Sequence, residues 1–98
     1  MNTFTPQQVQ RVTLSGSGFQ AVTFTNYSGC YLVKNFSAGD IFVSFAESGQ
    51  TQNNSIRIVT GYGQACFANA RGGLSGQNKT NTIYISGSGE VEVQQVYF

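Results

Sequence analysis

The sequence lacks histidine and tryptophan, has a single proline, and carries few charged residues. Without histidine, no imidazole can act as a general base, a general acid or a metal ligand. Charged residues make up 9% of the chain, against about 25% in a typical soluble domain. A formal net charge of +1 gives no electrostatic footprint for nucleic acid or for an anionic membrane. We therefore expect no imidazole-based catalysis, no cofactor, and neither nucleic acid nor membrane as a partner.

Long apolar runs are also absent, since no window approaches the roughly 18 apolar residues that a membrane helix requires. Residues 1–8 have neither the basic region nor the apolar region of a secretory signal. The sequence thus predicts a protein that stays in the cytosol or leaves the cell by lysis, unless a signal was removed.

The two cysteines, Cys30 and Cys66, lie in apolar surroundings with no adjacent Lys or Arg to lower a thiol pKa. Their separation does not match a metal site, and no histidine is present to complete one. We expect both to be buried free thiols and no metal to be bound. A disulfide between them is the alternative.

The chain is punctuated by glycine and otherwise consists of short runs rich in β-branched and aromatic residues, which is typical of an all-β domain. Alternation of apolar and polar residues supports the strands; for example, Ile41, Val43 and Phe45 share one face. Strands are predicted at residues 9–14, 19–25, 30–35, 40–45, 55–59, 64–68, 81–85 and 90–97. Longer polar loops are predicted at 47–54 and 69–80.

About eight short strands in 98 residues predict a single antiparallel β-sandwich spanning residues 1–98, of jelly-roll or Ig-like type. A small β-barrel is the alternative. Residues 1–8 are expected to form an extended N-terminal arm. The similar segments 14–18 and 85–89, each an apolar residue followed by Ser-Gly-Ser-Gly, are predicted to be hairpin turns.

Few side chains are candidates for chemistry. Glu90 and Glu92 share one face of the last strand, and paired carboxylates can hydrolyse glycosides. The alternating Val91 and Val93 are expected to face the core, however, which places both glutamates in solvent. We therefore predict a protein that is not an enzyme. Exposed tyrosines can stack on sugar rings, and the candidates for such glycan contacts are Tyr27, Tyr62 and Tyr84.

The two ends of the chain are candidates for attachment to other proteins. Phe4 and Pro6 have no evident place in an alternating sheet, and the chain ends on the apolar residues Val96, Tyr97 and Phe98. The alternation slips by one residue after Val93, which indicates a β-bulge or a tail that leaves the sheet. Either these terminal residues form an interface, or Val96 and Phe98 complete the core.

Residues 31–45, YLVKNFSAGDIFVSF, resemble a phrase found in small virion proteins of tailed phages. In these proteins a strand ending in V-x-N leads through a short turn into D-I-x-V-S-F. The segments 55–58 and 82–93 follow the same kind of pattern, so the resemblance extends over roughly residues 30–95.

The resemblance implies a non-enzymatic virion structural protein, assembled in the host cytoplasm and attached to a phage capsid or tail as a decoration or fibre-type subunit. Its partners would be other virion proteins. It also implies a homo-oligomer, with a trimer favoured because such proteins often have that symmetry. A carbohydrate-binding, lectin-like module is the alternative function.

Overall fold

A computed structural model describes residues 8–68 and 79–97, and for residue 97 it describes the backbone alone. The described chain forms eight β-strands and one short 3₁₀ turn. The strands are β1 (Val9–Ser15), β2 (Gln20–Ser28), β3 (Cys30–Asn35), β4 (Ile41–Ser44), β5 (Ile56–Ile58), β6 (Gly63–Phe67), β7 (Thr80–Ser86) and β8 (Ser88–Tyr97). Each matches a strand predicted from the sequence to within a few residues. The loop predicted at 47–54 holds the exposed 3₁₀ turn at Gln52–Asn54, and most of the loop at 69–80 lies outside the described residues.

The strands form two four-stranded antiparallel sheets with the orders β1-β8-β3-β6 and β2-β7-β4-β5. These are called the first and the second sheet. The pairs are nested along the chain, with β1 on β8, β2 on β7, β3 on β6 and β4 on β5. This is the order of an eight-stranded jelly roll, a ribbon of paired strands folded across two sheets. The predicted sandwich is confirmed, and the strand order distinguishes the jelly roll from the Ig-like sandwich and the barrel.

The two Ser-Gly-Ser-Gly segments are not hairpin turns, so that prediction is wrong. β1 and β2 lie in different sheets, as do β7 and β8. The segments are instead adjacent corners, at which both strands of the ribbon cross from one sheet to the other. Ser15 pairs with Ser88 at the end of the β1–β8 ladder. Gly87 has a φ of +154°, and a Cβ there would come within 2.8 Å of Ile41 Cγ2. Only glycine allows the corner to approach the core this closely.

The core lies between the two sheets and follows from strict alternation along each strand. The faces predicted from Ile41, Val43, Ile83 and Val91 are confirmed, because all four side chains are buried. Among the described residues, the buried cluster consists of Leu14, Val22, Phe24, Tyr31, Val33, Ile41, Val43, Ile58, Cys66, Ile83, Ile85, Val91 and Val93. The other face of each strand points away from this core.

A buried asparagine fixes the turn between β3 and β4. Asn35 Nδ2 donates to the carbonyls of Gly39 at 2.8 Å and Ile58 at 2.9 Å. Its Oδ1 accepts from the backbone N–H of Ser37 at 2.8 Å and from the Ser37 hydroxyl at 2.6 Å. Since its donors and its acceptor are all used, Asn35 links the turn to β5 without leaving a buried polar atom unpaired.

Candidate functional site

The outer face of the first sheet carries several exposed apolar side chains. Because side chains alternate along a strand, the residues next to each core position point outwards. Leu32 of β3 and Ala65 of β6 are two such residues, and they pair with each other. Phe67 is 58% exposed, and Val9 and Val96 are 42% and 46% exposed. We call Val9, Leu32, Ala65, Phe67 and Val96 the outer apolar patch. Exposed apolar residues gathered on one face are typical of surfaces that contact another molecule.

A row of charges crosses the same face beside the outer apolar patch. Arg11 Nε lies 3.2 Å from Glu92 Oε1, and Lys34 Nζ lies 3.6 Å from Glu92 Oε2. Both carboxylate oxygens of Glu92 are therefore engaged by cations, while Glu90 on the same strand is exposed. The prediction that both glutamates lie in solvent holds for Glu90, whereas Glu92 is largely covered, with 15% of its side chain exposed.

The C-terminal strand contains the bulge that the sequence pattern indicates. Tyr31 pairs with Gln95 and Cys30 with Tyr97, so β8 has one residue more than β3 at this point, Val96. The alternative in which Val96 completes the core is wrong, because Gln95 takes the inward position and is 2% exposed, whereas Val96 faces solvent. A bulge re-aims a side chain in this way by inserting one unpaired residue.

Gln95 is held in the core by hydrogen bonds to distant parts of the chain. Its Nε2 donates to the carbonyl of Asn26 at 2.7 Å and to the hydroxyl of Tyr31 at 3.1 Å. The Tyr31 hydroxyl in turn donates to the carbonyl of Thr80. Among the described residues, the Oε1 atom of Gln95 is the one buried side-chain polar atom without a hydrogen-bond partner. The network ties β2, β3, β7 and β8 together beneath the outer apolar patch.

Of the other terminal candidates, only Tyr97 is among the described residues. The backbone of Tyr97 pairs with Cys30 in β8. Phe4, Pro6 and Phe98 lie outside the described residues. The predictions that concern them stay predictions.

The three candidate tyrosines do not share a face. Tyr62 is 67% exposed at the turn before β6, next to the Asn35 end of β3. Tyr27 is 58% exposed near the end of β2, beside the opposite end of β3. Tyr84 is half-buried on the outer face of the second sheet, where it pairs with Ala21 and Ser44. Phe36, another exposed aromatic residue, follows Asn35, whose N–H donates to the carbonyl of Tyr62.

The cysteines are buried free thiols, as predicted. Cys30 pairs with Phe67 and Cys66 with Tyr31, so the two cysteines are one position apart and project from opposite faces of the sheet. Burial raises the pKa of both thiols. For Cys66 the value reaches about 12, first through burial and then through the neighbouring Cys30. Neither thiol is activated as a nucleophile.

Leu32, Ala65 and Phe67 are candidate interface residues that the sequence pattern did not predict. The signal was present in β6, where the residues of one parity, Gly63, Ala65 and Phe67, carry no polar side chain. Because Cys66 between them is buried, these residues have to face outwards.

Among the described residues, no group of three or more His, Cys, Asp or Glu side chains is arranged to hold a metal ion. In the same part of the chain, no helix has the length and apolar character needed to cross a membrane.

Together, the fold and this surface define a jelly-roll β-sandwich that exposes an apolar patch on the outer face of one sheet. Comparison with protein-family models, with curated proteins and with solved structures gives no match.

Proposed function

We propose that the chain is a non-enzymatic structural protein of a bacteriophage virion, attached to the capsid or tail as a decoration or fibre-type subunit. The observation that carries the proposal is the nested strand order β1-β8-β3-β6 and β2-β7-β4-β5, because viral capsid domains are among the proteins built as jelly rolls. The resemblance of residues 31–45 to virion proteins adds support, since these residues form β3, the turn at Asn35 and β4. The protein would assemble into particles in the host cytoplasm.

The outer apolar patch supports attachment to other virion proteins. Stable interfaces use apolar and aromatic side chains at their centre and charged side chains at the rim. The first sheet has both, since Leu32 and Ala65 lie two positions along their strands from the Arg11–Glu92–Lys34 row, and Phe67 follows beyond them. We retain Phe4, Pro6, Tyr97 and Phe98 as proposed anchors beside this surface. The proposed assembly is a homo-oligomer within the particle.

The proposal is tested on purified phage particles. Mass spectrometry should detect this chain in a fixed ratio to the major capsid protein, through repeated gradient purification. Particles that consistently lack the chain would overturn the proposal.

A deletion of residues 96–98 tests whether the C-terminal end makes the attachment. We expect the truncated chain to bind particles less well while its melting temperature falls by only a few degrees, because Val96 is exposed. Glu90→Gln, also exposed on β8, is the control and should bind normally. Full occupancy of particles by the truncated chain would show that attachment lies elsewhere.

A lectin-like function is a second candidate, favoured by one observation. The exposed pair Phe36 and Tyr62 offers two aromatic rings at one corner, and jelly rolls also occur in lectins. Binding on a glycan array that is lost in Tyr62→Ala but kept in Tyr27→Ala would support this function. Binding that is absent, or equally affected by both variants, would exclude Tyr62 as a glycan platform.

A further inference from the structure

Strand β6 is an edge strand without the usual protection against pairing with another chain. It pairs with β3 on one side and forms the edge of the first sheet on the other. Sheet edges are normally guarded by charge, proline or a bulge. Among the other edges, β1 carries Arg11, β5 carries Arg57, and β2 has a register shift after Thr23. The β6 sequence GQACF has none of these features, and its pairing with β3 is unbroken.

The phase of the β3–β6 ladder shows which backbone groups lie free at this edge. Just beyond one end of β6, Asn35 N–H donates to the carbonyl of Tyr62 at 2.9 Å. Just beyond the other end, Ala68 N–H donates to the carbonyl of Gly29 at 2.9 Å. In an antiparallel ladder, hydrogen-bonded residues recur at every second position. Between Tyr62 and Ala68, the residues bonded to β3 are therefore 64 and 66.

The intervening residues Gly63, Ala65 and Phe67 consequently direct their N–H and C=O groups away from β3 and out of the sheet. All three are exposed. Within the described part of the chain, no hydrogen bond links these outward groups to another residue. The outward-directed backbone groups are symmetric about Ala65, because Gly63 and Phe67 each lie two positions from it.

We infer that the β6 edge docks a second copy of this chain, in antiparallel pairing about a two-fold axis at Ala65. In this register Ala65 pairs with Ala65 of the second copy, and Gly63 pairs with Phe67 of the second copy in both directions. Every free N–H and C=O of the three residues then has a partner, because hydrogen-bonded positions meet hydrogen-bonded positions. The two first sheets join into one continuous sheet.

The side chains on the outer face fit the same register. Phe67 of each copy lies opposite Gly63 of the other, where an aromatic ring covers the space that a glycine leaves on a sheet. The stem of Lys34 borders that space, since a Cβ at Gly63 would lie 3.0 Å from Lys34 Cγ. No charged side chain of β6 meets its own copy at the axis. The pairing also joins the two outer apolar patches across the axis.

This contact goes beyond the proposed function and does not depend on where the chain is found. An edge that pairs with itself is isologous and gives a dimer rather than a closed trimer. The proposed oligomer is thus built from two-fold contacts at β6.

The first test compares Ala65→Lys with Thr13→Lys by light scattering and sedimentation. Wild-type protein should have twice the 10.6 kDa mass of one chain and should dissociate on dilution. Ala65→Lys places two lysines opposite each other at the axis and should be monomeric, with a dissociation constant raised at least about tenfold. Thr13→Lys adds the same charge on the exposed outer face of β1 and should remain dimeric.

A second variant and a second measurement guard against misfolding. Ala65→Pro removes an outward N–H that makes no hydrogen bond to any other described residue, so the fold should persist while the dimer is lost. Hydrogen exchange should show the amides of Gly63, Ala65 and Phe67 protected in the dimer and unprotected in either monomeric variant. A wild-type monomer, a trimer, or a dimer that Ala65→Lys and Thr13→Lys affect equally would overturn the inference.

Discussion

Gly89 lies directly against Ser37, so that a Cβ at position 89 would come within 2.6 Å of the Ser37 Cβ and 3.1 Å of its Cα. Gly89 also has a φ of +122°, which disfavours any side chain. Ser37 cannot move aside easily, because its N–H and hydroxyl both donate to buried Asn35. The corner between β7 and β8 and the turn between β3 and β4 therefore constrain each other.

Replacing Gly89 with Ala should destabilise the protein by about 3 kcal/mol, through backbone strain and the clash with Ser37. Thermal or urea unfolding measures the change. Gly39→Ala is the matched control, because Gly39 lacks a positive φ and a Cβ there would meet no atom within 4 Å. Equal effects of the two substitutions would show that the close contact with Ser37 does not lower the stability of the Gly89→Ala variant.

Removing the hydroxyl of Tyr31 should cost about 1–2 kcal/mol of unfolding free energy, because the buried Gln95 amide loses an acceptor and the Thr80 carbonyl loses a donor. The Tyr31→Phe variant keeps the ring, which packs 5.5 Å from Phe24 and 5.9 Å from Phe45. Tyr62→Phe, at an exposed position, should leave stability within about 0.5 kcal/mol. Urea denaturation measures the free energy of unfolding of both variants. A Tyr31→Phe protein as stable as Tyr62→Phe would show that the hydrogen bonds of the Tyr31 hydroxyl do not stabilise the fold.

Glu92→Gln should lower stability by up to about 1 kcal/mol, since it removes the carboxylate charge that both Arg11 and Lys34 face. The loss should shrink as salt is added, because Arg11 and Lys34 are well exposed and their attraction to Glu92 is screened. Glu90→Gln serves as the control on the same strand. Unfolding curves at low and high salt that do not differ between the two variants would argue against the ion pairs.

The buried thiol of Cys66 should make the protein less stable at alkaline pH. Its pKa is raised to about 12 in the folded state, against 9.0 for an exposed thiol. Because its pKa is higher in the folded state, the thiol contributes to stability at pH values below its unfolded-state pKa. This contribution is lost as the pH rises from about 9 towards 12. The free energy of unfolding should thus fall more steeply above pH 9 in the wild type than in Cys66→Ala. Parallel pH profiles for the two proteins would refute the assignment.

Strand positions and core faces were predictable because they depend on local alternation. Ile83 and Ile85 are two positions apart and therefore face the same side of their strand, whichever strand it pairs with. The bulge after Val93 was predictable for the same reason. Pairing partners were not, since the Ser-Gly-Ser-Gly segments specify a change of direction without specifying which sheet the chain enters next. The inward position of Gln95 was equally hidden, because its partners Asn26 and Tyr31 are brought to it only by the complete fold.

The candidate surface was predicted only at its C-terminal margin. Val96 was identified as a terminal apolar residue, and its exposure is consistent with the interface interpretation. Ala65 and Phe67 were not predicted, because β6 is an edge strand only in the strand order β1-β8-β3-β6. An edge is a property of topology, which a single strand does not encode.

The nested pairing of strands also constrains how the chain can be made. During synthesis, β1 leaves the ribosome before the other described strands, yet its partner is β8, and Arg11 pairs with Glu92 across 81 positions of sequence. β1 therefore stays unpaired while the inner pair β4–β5 can already form. Closing so long a loop is slow compared with local pairing. Translation must run almost to the end of β8 before β1 can join its sheet.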